Sequence, residues 1–332
     1  MTTTQRSFHA ILVALVFSLS SGLTHATDLP VTSDLVLHLD ASDPFSNGGT
    51  TLPGDGSRPA GWLDTSGNFN DTTSKTGSPT WIADGGPAWN NKPVFRFDGS
   101  SGYLIGDFVT GGDPLGLHGT ATEVTILAVL NPQGNVIGNN TRWFGHSAGG
   151  TAFGHQGLSG QTHVPDGTPR GVAHNNRADS STEFADGPAS IGTLTDTHIL
   201  ISTHERNQRA MYDNSVAGTI DNTDWGAGVR LETDHPKGVG AYNFQGALDK
   251  FLTGDLAEVA VYSRALSDAE LNQVGSHLGQ KYDVAWLFEP PALGTWRVDA
   301  AGDWAVSSNW QDEQVPSGST ASNRHAAAKR KP

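Results

Sequence analysis

Three kinds of side chain in this sequence could do chemistry. Oxygen donors come first. Asp64, Ser66, Asn68 and Asn70 alternate along one stretch, as ligands do in a loop that wraps calcium. The stretch fails as an EF-hand, because Gly67 is at loop position four instead of six and Lys75 stands where a bidentate Glu is needed. It reads instead as a turn shaped by Asx side chains and glycine. Histidines come second. Several, among them His155, His163 and His174, fall in one polar region, but none form an i, i+4 helical pair that could grip a metal. Aromatics come third. Trp62, Trp81, Trp89, Trp143 and Trp225 fall near expected loops, where an indole can stack on a sugar face. Trp62, Trp143 and Trp225 are the candidate ligand-binding residues, although Trp in a sandwich is commonly core. Covalent catalysis has little to start from: there is no Cys and no His-Glu-x-x-His.

The elements that must position these groups are mostly short β runs. Leu35–Leu39, Val124–Leu130 and Thr197–His204 read as strands. Arg142–Gly145, Thr151–Phe153, Val229–Leu231 and Val239–Ala241 read as shorter ones. Pro93–Gly106 reads as a hairpin, with Phe95 and Phe97 on one face and Val94, Arg96 and Asp98 on the other. Gly154–Asp186 and Tyr242–Lys250 read as loops. Asn214 takes a turn position that needs positive φ, which Asn tolerates. Leu256–Tyr262 reads as a buried central strand. After it, Ser267 and Glu270 form a capping box, and Leu266 and Leu271 occupy the staple positions. Leu271, Val274, Leu278 and Tyr282 then line one face of a short helix.

Three of these segments carry a family resemblance. Gly254-Asp255-Leu256-Ala257-Glu258-Val259 with Tyr262-Ser263-Arg264-Ala265-Leu266-Ser267 and the helix ending in Lys281-Tyr282 resembles the closing segment of LamG-like jelly-roll domains, in the concanavalin A-like lectin/glucanase superfamily. The opening Leu-x-Leu-Asp-Ala-Ser and the turn Trp62-Leu63-Asp64-Thr65-Ser66-Gly67-Asn68-Phe69-Asn70-Asp71 are similar to the same family. The resemblance implies an all-β fold: a two-sheet antiparallel β-sandwich (jelly roll) with one short C-terminal α-helix. It also implies Ca²⁺ at the sandwich rim, for which Asp98 and Asp255 are the candidate metal ligands. Gly102 stands where relatives commonly have an Asp, which weakens that site. Glucanases of the superfamily carry two Glu on one strand as nucleophile and acid. Here Thr253 occupies the nucleophile's place, so the resemblance points to a non-catalytic protein.

The rest of the chain sets the context. Met1–Ala26 reads as a signal peptide, with Arg6 ahead of an apolar run, Ile11–Leu19, too short to span a bilayer. Cleavage is expected near Ala26, giving a secreted or cell-surface protein. Residues 27–288 would form the sandwich, since roughly 260 residues suffice for one such domain. The net charge of −14 argues against nucleic acid as a partner. Residues 289–315 read as a linker and one Trp-containing unit of the kind found in bacterial surface proteins, including autotransporter passengers. Residues 316–332 read as a disordered basic tail, either genuine or the mark of a truncated parent. The expected role is recognition or adhesion, with a glycan or an extracellular protein as partner. A glycoside hydrolase and a structural spacer are the alternatives.

Overall fold

The computed structural model describes residues 28–287, apart from 107–114, 118–121, 134–140, 148–157, 163–167, 175–181, 188–195, 206–207, 219, 223–235 and 245–246. The strands are β1 Leu35–Asp40, β2 Thr72–Thr76, β3 Thr80–Ile82, β4 Val94–Asp98, β5 Gly102–Ile105, β6 Val124–Pro132, β7 Arg142–Ser147, β8 Leu158–Thr162 and β9 Pro169–His174. They continue as β10 Thr182–Asp186, β11 His198–Glu205, β12 Gln208–Asp213, β13 Val216–Ala217, β14 Lys237–Val239, β15 Tyr242–Phe244, β16 Ala247–Asp249 and β17 Thr253–Tyr262. One α-helix follows, α1 Asp268–Tyr282. The first sheet runs β13-β12-β11-β6-β17-β4-β3, with β1 also paired to β17; the second runs β10-β9-β8-β7-β14-β5-β2. The ladders are antiparallel except β15 beside β7. The chain is an all-β sandwich with a single α-helix among the described residues.

The strand β17 sits at the middle of the first sheet. On one side it pairs with β6 throughout. On the other it pairs with β4 over Thr253–Leu256 and with β1 over Glu258–Tyr262. Such a strand must be apolar on both faces, and it is. Leu256, Val259 and Val261 face the space between the sheets. Ala257, Ala260 and Tyr262 face the other way, toward α1. The neighbour β6 splits likewise: Val124, Ile126, Ala128 and Leu130 point inward, Leu127 and Val129 toward the helix. This is why both segments read as near-continuous apolar runs.

The helix closes the outer face of the first sheet. Leu271, Val274, Leu278 and Tyr282 are buried against it, as the spacing in the sequence requires. Each Leu so buried contributes about 1.5–3 kcal/mol. The Glu270 carboxylate accepts from Ser267 N–H at 2.9 Å and Oγ–H at 2.7 Å, and two Arg264 guanidinium nitrogens donate to it at 2.7 Å each. Those bonds hold its pKa down at about 2.

Three expectations need correction. Pro93–Gly106 is not a hairpin: β4 lies in the first sheet and β5 in the second. The two strands cross between layers at Gly99–Ser101, because Phe95, Phe97 and Tyr103 all seek the same interior. Tyr103 packs edge-on against Phe95 at 5.6 Å and Phe97 at 6.4 Å. The region 154–186 is not all loop. It holds β8, β9 and β10, a meander of polar strands with little apolar alternation, formed by cross-strand pairing. Tyr242–Lys250 likewise contains the paired strands β15 and β16. The expected strands at Thr151–Phe153 and Val229–Leu231 lie outside the described residues.

The glycine that opens the closing motif has a structural reason. Gly254 has φ +140°, and a Cβ there would collide with the backbone of Asn131 and Pro132 on β6 and of Gln133 just after it. Gly254→Ala should therefore destabilise the protein by about 1–3 kcal/mol, the usual cost of overpacking. Thermal unfolding of the purified variant checks this; a melting temperature at or above that of the parent would refute the close approach.

Candidate functional site

One group of buried polar side chains, drawn from β1 and β17, gathers beneath the C-terminal end of α1. On β1, Leu37 and Leu39 point into the sandwich, so His38 and Asp40 point the other way. Asp40 is directly opposite Glu258 on β17. The register of β17 against β6 shifts between Leu256 and Glu258. That bulge turns Ala257 and Glu258 both toward the helix. Two buried carboxylates face each other here, which would be destabilising alone.

Lys281 resolves the conflict. Its Nζ lies 2.7 Å from Glu258 Oε1, 2.8 Å from Asp40 Oδ2 and 2.9 Å from Asp28 Oδ2. The Tyr282 hydroxyl donates to Glu258 Oε1 at 2.7 Å. Glu258 Oε2 is 2.9 Å from His38 Nε2, and His38 Nδ1 is 2.8 Å from Thr65 Oγ1. Thr65 Oγ1 also donates to the His38 carbonyl at 3.0 Å. The His38 ring is thus held between Thr65 at Nδ1 and Glu258 at Nε2. Burial alone would lower the pKa of His38, but the hydrogen bond to Glu258 and its charge raise it. Burial would also lower Lys281; the surrounding Glu258, Asp40 and Asp28 carboxylates raise it instead. Burial pushes Asp40 up, and the Glu258 charge adds to this. Glu258 is held down by Lys281 and His38 against its burial.

Asp28, His38, Asp40 and Glu258 each bring a ligand atom within 4.8 Å of the others, a set that could hold a metal ion. The charge that balances them in this structure is the Lys281 ammonium. His38, Asp40, Glu258 and Lys281 were not singled out by sequence reasoning, although each stands inside a segment that carries the family resemblance. The available signal was polar residues at alternate positions of strands apolar on both faces.

The residues expected to bind ligands lie elsewhere. Asp64 is buried and shapes its turn: it accepts from the backbone N–H groups of His38, Ser66 and Asn70 at 2.8–2.9 Å. The Asn68 and Asn70 amides donate to the Leu35 and Val36 carbonyls. The stretch is thus an Asx-built turn that clasps β1. Asp98 and Asp255 stand diagonally on adjacent strands, Asp98 opposite Thr253 and Asp255 opposite Arg96. Asp255 is gripped by Arg96 through two bonds of 2.8 Å, while Asp98 accepts from Ser100 N–H and Oγ–H. Trp62 and Trp143 are 0% and 2% exposed. Trp62 packs on Phe95 at 4.4 Å. These two indoles are sandwich core, not a stacking platform, because the large ring is worth most when fully removed from water. Trp225, His155 and His163 lie outside the described residues, as do the expected signal peptide and the segments after 287.

No family model and no curated protein matches the chain. Among solved structures, domain 4 of AbnA, an extracellular GH43 arabinanase from Geobacillus stearothermophilus in complex with arabinotriose, is similar over 75% of this chain and 98% of that one, at 15% identity and TM-score 0.46. Trypanosoma rangeli sialidase is similar over 76% of this chain and 33% of that one, at 15% identity and TM-score 0.44. The binding domain of botulinum neurotoxin DC, in complex with rat synaptotagmin II, is similar over 75% of this chain and 52% of that one, at 10% identity and TM-score 0.48. What each binds or cleaves is a property of that protein.

Two variants test the electrostatics. Lys281→Met removes the ammonium that Asp40 and Glu258 share and leaves only His38 beside Glu258, and should cost about 3–5 kcal/mol in chemical denaturation. The second concerns His204, fully buried, with neither ring nitrogen hydrogen-bonded among the described residues. Burial and nearby Arg209 lower its pKa to about 3. A depressed histidine lends stability above its unfolded value, near 6.5. That stability is lost as pH falls from there toward 3. His204→Leu should make unfolding less sensitive to pH in that window, read as a flatter curve of melting temperature against pH.

Proposed function

We propose that residues 27–288 form a non-catalytic recognition domain of the LamG-like kind, exported after cleavage near Ala26. Its ligand would be a glycan or an extracellular protein, bound through the loops. One observation carries this reading: the acidic residues of the motif segments are used inside the fold. Asp40 and Glu258 neutralise Lys281, Asp64 holds a turn, and Asp255 is fixed by Arg96. The motifs then serve as scaffold, and recognition falls to the connections between strands.

A glucanase reading finds less support. Retaining hydrolysis needs two carboxyl groups about 5 Å apart and open to the sugar. The exposed position on β17 is Thr253, and Glu258 is on the helix side, fully buried. Calcium belongs to the proposal only at the rim beside Asp98. Arg96 is 46% exposed and would have to swing off Asp255 before that carboxylate could join.

A glycan array probed with labelled protein, in calcium and in excess chelator, tests the reading, with release of reducing ends assayed on the bound glycans. Saturable binding without hydrolysis is the expected outcome. Turnover abolished by Asp255→Asn would make the protein an enzyme. Binding and melting temperature unchanged by chelator would remove calcium from the reading.

A further inference from the structure

The contact between Lys281 and Asp40 has more organisation than an ion pair needs. Asp40 is 5% exposed and Glu258 0%, and the Lys281 side chain is 10% exposed. The two oxygens of Asp40 are differentiated. Oδ1 accepts from Ser42 N–H at 2.8 Å and from Ser42 Oγ–H at 2.6 Å. Oδ2 faces the Lys281 Nζ at 2.8 Å. Glu258 Oε1 touches the same nitrogen at 2.7 Å, and its other oxygen is anchored by His38. An amine, an electrophilic carboxyl with donors on one oxygen, and a carboxylate that touches the amine are thus held together out of bulk water.

We propose that Lys281 and Asp40 become joined by an isopeptide bond, with Glu258 as the proton carrier. Glu258 takes one proton from the Lys281 ammonium and passes it to Asp40 Oδ2. The freed amine attacks Asp40 Cγ, and the charge that develops on Oδ1 is held by the two Ser42 donors. A second proton leaves nitrogen by the same route, the Cγ–Oδ2 bond breaks, and one water departs. Atoms and charge balance: an ammonium and a carboxylate give a neutral amide and water, with no oxidant or cofactor. Burial favours this direction, because one positive and one negative charge disappear from a site where both are costly. Asp28 also reaches Nζ, but its side chain is 43% exposed. The bond would tie β1 to the end of α1 in a chain that has no cysteine for a disulfide.

The test is the intact mass of the purified protein, its N-terminus first fixed by sequencing, followed by peptide mapping. The expected mass is short by one water, with a branched peptide that joins Asp40 to Lys281. Lys281→Arg should restore the full mass, and so should Asp40→Ala. Glu258→Gln should do the same while both reactive groups remain. Full mass in the parent protein, after prolonged incubation at neutral pH, overturns the proposal. So does a water loss mapped to an Asp-Gly step such as Asp55-Gly56 or Asp98-Gly99, where succinimide formation gives the same mass. A branch at Asp28 overturns the assignment of Asp40.

Discussion

A single buried ammonium holds the parts of this structure in register. Lys281 reaches back from the last turn of α1 to Glu258 on β17, Asp40 on β1 and Asp28 ahead of β1. Without it, Asp40 and Glu258 would face each other as like charges across an antiparallel ladder. With it, the conflict becomes a lock. Burying charge costs free energy, and well-packed apolar residues could do as well or better for stability alone. What the arrangement adds is position. Slipping β1 by one residue would turn His38 and Asp40 into the sandwich and Leu37 and Leu39 out of it.

The remaining architecture follows from the two-sided burial of β17. Its inner face builds the core between the sheets and its outer face the floor for α1. The bulge at Ala257 lets one strand present Glu258 on the helix side without breaking the apolar alternation that resumes at Val259. The Asp64 turn clasps the other edge of β1 and delivers Thr65 to His38. Three segments far apart in sequence thus meet at one cluster.

Legibility in the sequence depended on how local each constraint was. The capping box, the staple and the apolar stripe of α1 were readable because a helix brings residues three and four apart together. Of the central strands, β6 was readable as an apolar run and β11 by its alternation. The β8–β10 meander was not, because Leu-Ser-Gly-Gln-Thr has no alternation to read and its strands exist through their partners. The supposed hairpin at Pro93–Gly106 shows the same limit. Two strands joined by a tight turn look alike whether they pair with each other or part into two layers.

The sequence by itself determined the class: short β runs, one capped helix, no cysteine, and motif segments of a sandwich. It also determined which residues must be buried on β17 and α1, since periodicity encodes burial directly. Only the tertiary structure decided what the polar residues do. Trp62 and Trp143 went to the core, Asp255 to Arg96, and Asp40, Glu258 and His38 to Lys281. The reason is that hydrophobic burial is set by local pattern, whereas the fate of a charge depends on which other charge the fold brings within about 3 Å of it, from any distance along the chain.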